Sequence, residues 1–307
     1  MGAAFRRRFI QSPDFWAGLE KLTYFVLLPS LLLTGLARAD FARLEPGPIV
    51  LVLSASALFS SLLAYAVRRP AAGSDGPAFT SVFQGTVRFN TYIAVTTAAA
   101  LFGSDGIAIA ALGTAVLVPL VNLASTVALA HHGHHKPRGA ALLRTVFFNP
   151  LILACVIGLA LNLLGSIPAV GESLKAPVPS AVVQLIASVL GMLGGAALPI
   201  GLICVGAGLH GRVFARESLR PVVAAILLRF LPVPAATLGL CLALGFSGPA
   251  AVVCVVFQSL PTATSSYVFS RRLGGDAPLM AQITAAQTIL SGAVLPAWIL
   301  IATAVLL

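Results

Sequence analysis

The sequence predicts an all-α polytopic membrane protein made of two inverted five-helix repeats, each with one broken helix crossing the other. Three observations carry that expectation: an apolar composition, nine long apolar runs, and motifs that recur at a fixed offset. The 307 residues are 58% hydrophobic and 9% charged, against roughly 25% charged in soluble domains. A soluble enzyme or binding module is thereby excluded. The net charge of +10 raises nucleic-acid binding, because basic clusters neutralise phosphates. Here, however, Lys and Arg sit in short loops between apolar runs, as in membrane proteins. The expected partner is the lipid bilayer, with no nucleic acid.

Helices of about 20 apolar residues cross a bilayer. Nine are read, at 20–37, 48–67, 79–101, 106–130, 147–166, 180–209, 220–245, 249–270 and 278–306. Connections such as FGSDG (102–106) and GFSGP (245–249) are short and glycine-rich, with no soluble domain between them. The start MGAAFRRRFIQSPDF lacks an apolar stretch behind its basic cluster, so no cleavable signal peptide is read. Cys155, Cys204, Cys241 and Cys254 fall in apolar runs without metal-ligand spacing and read as small hydrophobes. Neither metal nor cofactor is expected.

Charge sets the orientation. One set of alternating loops carries Arg6, Arg7 and Arg8, Arg68 and Arg69, Lys136, Arg138 and Arg144, Arg212, Arg216 and Arg220, and Arg271 and Arg272. The other holds Arg38, Arg43 and Lys175, offset by Asp40, Glu45, Asp105 and Glu172. The basic set is expected to face the cytoplasm, in a multi-pass protein of the inner membrane.

Motifs then recur in order. GLARADFARLEPGPIV (35–50) matches GLHGRVFARESLRPVV (208–223) at an offset of 173. Asn90-Thr91 with Asp105 matches Pro261-Thr262 with Asp276 at 171, and Pro29 echoes Pro199. Equivalent positions are five spans apart, an odd number, so the repeats run in opposite directions through the bilayer. The expected units are 1–145 and 146–307, forming one transport domain. The partner of span 147–166 maps upstream of Met1, so the first helix of repeat one is expected to be missing, through a start assigned too far downstream or, alternatively, in a genuine nine-helix variant. Inverted repeats with interrupted helices are the plan of secondary transporters, which bind substrate near the midplane.

The polar residues at mid-span point the same way. In RFNTYIAV (88–95), Arg88 is costly at a helix centre by about 2.5–3.5 kcal/mol, so it needs a partner or a wet cavity. Asn90 and Thr91 favour side-chain to backbone bonds that compete with helix. In FQSLPTATSSY (257–267), Pro261 removes an amide donor and frees a carbonyl around residue 257, while Thr262, Thr264 and Ser265 satisfy loosened backbone. Two such breaks at equal depth would present half-helix N-termini to an anion and carbonyls to a cation. The alternative is a pair of kinked packing helices whose hydroxyls bond their own carbonyls. Candidate substrate contacts are Arg88, Asn90, Thr91, Tyr92, Asn122, Pro261, Thr262, Thr264, Ser265 and Gln287.

The chain resembles the auxin efflux carrier family of membrane transporters, in its bacterial branch. The resemblance rests on FVLLPSLLL (25–33), RFNTYIAV (88–95), FFNPLILACVIGLALNLLG (147–165), ALPIGLICVGAGL (197–209) and LPTATSSYVFSRRLGGD (260–276). It implies ten helices in two inverted five-helix repeats, the fourth helix of each broken at a crossover. It also implies transport of small organic anions: auxin in plants, dicarboxylates such as malate or malonate in some bacterial members. Asn90 falls on the first crossover asparagine and Pro261 on the second crossover proline. Where plant members carry Asn-Pro-Asn, this chain has Phe89-Asn90-Thr91.

Weaker signals are set beside these. HHGHHKPR (131–138) is a metal-binding motif or a solvated basic loop, and the absence of a neighbouring Cys or carboxylate favours the loop. Arg229 either lines the cavity or snorkels. GFSG (245–248) has the form used by intramembrane serine proteases, but every His precedes Ser247 and none lies mid-span, so the serine lacks a base. A sodium-coupled symporter of the bile acid type shares the crossover plan but calls for mid-span carboxylates absent here. A coupling proton or sodium ion, and a homodimer, are left open.

Overall fold

The computed structural model describes residues 2–39, 46–73, 75–133, 149–165, 177–208 and 219–307. Among them every regular element is helical, and none is a strand. Among the described residues six helical stretches are long and apolar enough to cross a membrane: Pro13–Ala37, Pro46–Ala66, Gly76–His132 (interrupted at 88–90 and again at Phe102 and Gly103), Ala181–Gly201, Leu219–Ala243 and Ala277–Leu306. Pro150–Leu164 and Pro249–Gln258 are apolar but shorter. The difference from nine has local causes. The expected spans 79–101 and 106–130 both fall within Gly76–His132, divided by the non-helical backbone of Phe102 and Gly103. Span 249–270 is cut between Gln258 and Ser265, and span 147–166 is described only from Asn149.

The chain opens with α1 (Gly2–Arg8) and α2 (Pro13–Leu22), the latter capped by the Ser12 hydroxyl accepting from the Phe15 amide. A π turn at Thr23–Leu27 leads into α3 (Leu28–Ala37). Pro29 explains the turn: it cannot donate to the carbonyl four residues back, and its ring crowds that carbonyl. The Leu28 amide reaches back to Thr23 instead. Next come α4 (Pro46–Ala66), α5 (Arg68–Ala72), α6 (Gly76–Val87) and α7 (Thr91–His132). The second part of the chain forms α8 (Pro150–Gly165), α9 (Pro177–Gly208), α10 (Leu219–Phe230), α11 (Pro232–Ala243), α12 (Pro249–Gln258), α13 (Ser265–Leu273) and α14 (Ala277–Leu306).

These helices pack as two groups. α3 lies chiefly against α8 and α9, while α4, α6, α7 and α10–α14 pack around one another. The seam between them runs where α3, α8 and α9 meet α7. Small residues allow the close approach: a Cβ on Gly201 of α9 would stand 2.9 Å from the Tyr92 ring.

Described residues that flank four of the basic loops meet at one end. Arg68 lies 3.4 Å from the His132 ring, Arg220 donates to the Pro70 carbonyl at 2.7 Å, and the Asp276 amide donates to the Pro77 carbonyl. At the other end Gly47 and Pro48 border Leu244–Ser247, and Arg38 borders Ser104 and Asp105. The remaining charged loop positions used for orientation, including Asp40, Arg43, Glu45, Lys136, Arg138, Arg144, Glu172, Lys175, Arg212 and Arg216, lie outside the described residues, as does much of the 35–50 and 208–223 motif pair. Left-handed glycines recur at related places: Gly73 and Gly245 are 172 positions apart, Gly103 and Gly274 171.

α3 ends on a side-chain cap. Asn162 of α8 donates to the carbonyls of Leu36 at 3.2 Å, Ala37 at 3.1 Å and Ala39 at 2.8 Å, at a helix end where the last carbonyls lack intrahelical donors; the Leu36 carbonyl also accepts from the Ala39 amide. Asn162→Ala is expected to destabilise the protein by about 1–2 kcal/mol, read as a lower melting temperature in detergent with the α-helical signal at ambient temperature unchanged.

Candidate functional site

Two helices stop short inside the second group, and their breaks cross. α6 ends at Val87, residues 88–90 run extended, and α7 begins at Thr91. Asn90 makes the restart: its Oδ1 accepts from the amides of Tyr92 at 3.0 Å and Ile93 at 3.3 Å, the N-cap role that asparagine fills well. α12 ends at Gln258 and α13 begins at Ser265, with Pro261 between them. The breaks touch where the Asn90 amide donates to the Pro261 carbonyl at 2.9 Å. Phe89 and Phe257 pack at a tilt of 53° beside that contact, ring centres 5.3 Å apart.

A buried polar scaffold holds the crossing from behind. Gln287 Oε1 accepts from the Thr262 amide at 2.9 Å, while its Nε2 donates to the Gly85 and Ala225 carbonyls at 2.9 and 3.0 Å. The Thr262 hydroxyl donates to the Gln84 carbonyl at 3.1 Å and lies 3.2 Å from the Ser266 hydroxyl. Gln84 Nε2 donates to the Ser270 hydroxyl at 2.9 Å. Arg229, fully buried on α10, donates to backbone carbonyls on both broken helices. It neither lines the cavity nor snorkels.

In front of the crossing lies a cavity of about 30 Å³, room for about one water. Its polar walls are Tyr24, Arg88, Thr91, Asn122 and Ser265, closed by Phe89, Leu151 and neighbouring apolar side chains. Arg88 dominates it. The side chain is 5% exposed, with Nη1 donating to Asn122 Oδ1 at 2.8 Å and Nη2 to the Ser265 hydroxyl at 3.0 Å. Its guanidinium stacks on Phe269 at 4.1 Å. These partners are all uncharged. Helices α7 and α13 both begin at the cavity wall, and helix N-termini carry partial positive charge, so they add to the guanidinium rather than offset it. Arg88 Nε and Asn90 Nδ2 are buried donors with no protein acceptor among the described residues. An anion accepting these donors would relieve a potential that the surroundings leave positive.

Of the ten sequence candidates, four line the cavity: Arg88, Thr91, Asn122 and Ser265. Asn90, Pro261, Thr262 and Gln287 build the crossing itself. Tyr92 faces Gly201 at the seam, and Thr264 precedes α13 as its N-cap without a side-chain cap bond. Sequence reasoning missed Tyr24, whose hydroxyl accepts from Asn149 Nδ2 at 3.1 Å while Asn149 Oδ1 accepts from the Leu151 amide at the start of α8. The π turn holding Tyr24 was foreshadowed only by Pro29. Of HHGHHKPR, His131 and His132 are described and residues 134–138 lie outside the described residues. Ser247 is exposed at the end of α4 away from His132.

Among the described residues, two interrupted helices crossed beside a buried cation in an all-helical bundle fit a membrane transporter. The comparisons agree. The profile of the membrane transport protein family (Mem_trans) matches residues 129–299, and the chain belongs to this family, that of the auxin efflux carriers. An uncharacterized transporter of Methanothermobacter thermautotrophicus is 27% identical over 284 residues, covering 91% of this chain and 87% of the relative.

Proposed function

We propose that this transporter is a carrier of small organic anions, carboxylates or auxin-like acids, working by alternating access with the cavity at the crossing as its substrate site. The observation that carries the reading is Arg88: a buried guanidinium with neutral partners, flanked by two helix N-termini. The cavity lies at the seam, with Tyr24 and Leu151 on one side and Arg88, Thr91, Asn122 and Ser265 on the other. At about 30 Å³ it is too small for a dicarboxylate. Loading therefore requires the α2–α3 and α8 side to part from the crossing, which is an alternating-access movement.

The inverted-repeat reading, 1–145 against 146–307, is supported by the paired breaks and by the paired left-handed glycines. The gathered basic end is assigned to the cytoplasm by the positive-inside rule, in an inner-membrane protein. Among the described residues no carboxylate lines the cavity, which disfavours the sodium-coupled alternative, and an exposed Ser247 away from His132 disfavours the protease alternative.

The test is a thermal-shift screen of mono- and dicarboxylates on purified protein, followed by uptake of the hits into proteoliposomes. Concentration-dependent stabilisation and saturable uptake of at least one acid, with its amide inactive, is expected. Equal response to acid and amide would sink the anion assignment. Tyr24→Phe provides a finer check. The Tyr24 hydroxyl accepts from Asn149 and keeps its own proton for a ligand. Its loss is expected to raise KM about fivefold, the worth of about 1 kcal/mol for one neutral hydrogen bond, with kcat little changed.

A further inference from the structure

Arg229 is a second fully buried guanidinium, and nothing in substrate recognition requires it. It sits on α10, away from the cavity walls, yet all four of its described bonds go to the crossing. Nε donates to the Leu260 carbonyl at 2.7 Å and Nη2 to the Phe257 carbonyl at 2.8 Å. Nη1 donates to the Thr86 carbonyl at 3.1 Å and approaches Gln258 Oε1 at 3.4 Å. The three carbonyls share an origin. Thr86 lies in the last turn of α6, and Phe257 and Leu260 lie at and just past the end of α12. Both helices stop there, so these acceptors lack the amide donors that a continuing helix would supply. The Phe257 carbonyl is the one that Pro261, without an N–H, cannot satisfy. Two helix C-termini bring partial negative charge to one point. Carbonyls at half-helix ends commonly hold a cation in transporters of this build, and here the cation is covalently tethered.

We propose that Arg229 is the positioning residue of the crossing: by clamping the C-terminal ends of both broken helices, it fixes where the opposing N-termini and Arg88 stand. One planar fork reaches acceptors on two helices, a geometry that a point-charge lysine cannot reproduce. The consequence for turnover rests on the anion-carrier reading, but the clamp itself does not.

The experiment uses the full-length protein with Arg229→Ala and Arg229→Lys. Hydrogen exchange without substrate reports the clamp directly: faster exchange at the amides of residues 88–93 and 258–267 is expected in both variants, with the seam around α3 and α8 unchanged. In proteoliposomes, kcat is expected to fall roughly 100-fold in Arg229→Ala, the scale of a misplaced site, with KM moving far less. Added methylguanidinium is expected to restore flux and protection to Arg229→Ala, while methylurea, of similar shape but neutral, does neither. If Arg229→Ala fails to fold, Arg229→Lys carries the test: it retains the charge and should still show loosened exchange and a lowered kcat. Wild-type exchange in the crossing of either folded variant would overturn the proposal, as would a loss seen wholly in KM. Failure of wild-type protein to carry any carboxylate would count against the function assigned above and leave the exchange result to decide the clamp.

Discussion

Arg88→Ala is expected to lower kcat/KM for carboxylate uptake about 100-fold, because the substrate loses a charge-assisted contact of about 3 kcal/mol. Stability should move the other way. The wild-type guanidinium is buried with uncharged partners and beside two helix N-termini, so its removal relieves an unfavourable charge while leaving Asn122 and Ser265 free to bond water. A melting temperature equal to or above that of wild type is therefore expected alongside the lost flux. Arg88→Lys keeps a point charge without the fork and should fall between, about tenfold below wild type. Initial uptake rates and melting curves on the same preparations check all three outcomes.

Asn90→Asp is expected to fold well and to transport no carboxylate. An aspartate in this position still accepts from the Tyr92 and Ile93 amides, as Asn90 Oδ1 does, and its charge suits a helix N-terminus. It also sets a fixed anion two residues from Arg88 and replaces the unpaired Nδ2 donor with an acceptor. The site would then be satisfied internally and closed to a second anion. Asn90→Ala separates the two roles. It loses the cap at a cost of about 1 kcal/mol and the donor, so both stability and flux should fall. Uptake assays together with the thermal response to a carboxylate distinguish the pair: Asn90→Asp should be stable and unresponsive.

The parts of the site that follow from local chemistry were legible in the chain. Asn90 and Pro261 each dictate a break through their own backbone chemistry, and Pro261 identifies the Phe257 carbonyl as lacking a helical donor. The identity of that carbonyl's partner was not legible. Arg229 lies 28 residues before Phe257 and 143 after Thr86, and no spacing rule links a mid-helix arginine to helix ends so distant. Tyr24 was hidden for a different reason. YFVLLPSLLL reads as uniform apolar helix, and only the widened turn forced by Pro29 swings a tyrosine to the cavity wall. The fold followed the same division. Hydropathy marked the apolar runs and the glycine-rich break between 79–101 and 106–130, where Phe102 and Gly103 leave helical geometry, but it did not register that the run at 249–270 is cut at its centre.

Protection of a cavity thiol tests the central claim most directly. In a background with the four native cysteines replaced, Ser265→Cys puts a near-isosteric thiol on the wall that Arg88 contacts. Labelling of that thiol by a small reagent should slow as a transported carboxylate is added, with a half-point near the KM for uptake. Its amide should give no protection, and neither should the acid itself once Arg88 is alanine. Labelling unaffected by a carboxylate that the same protein transports, or protection that persists without Arg88, would contradict an anion bound between these helix ends.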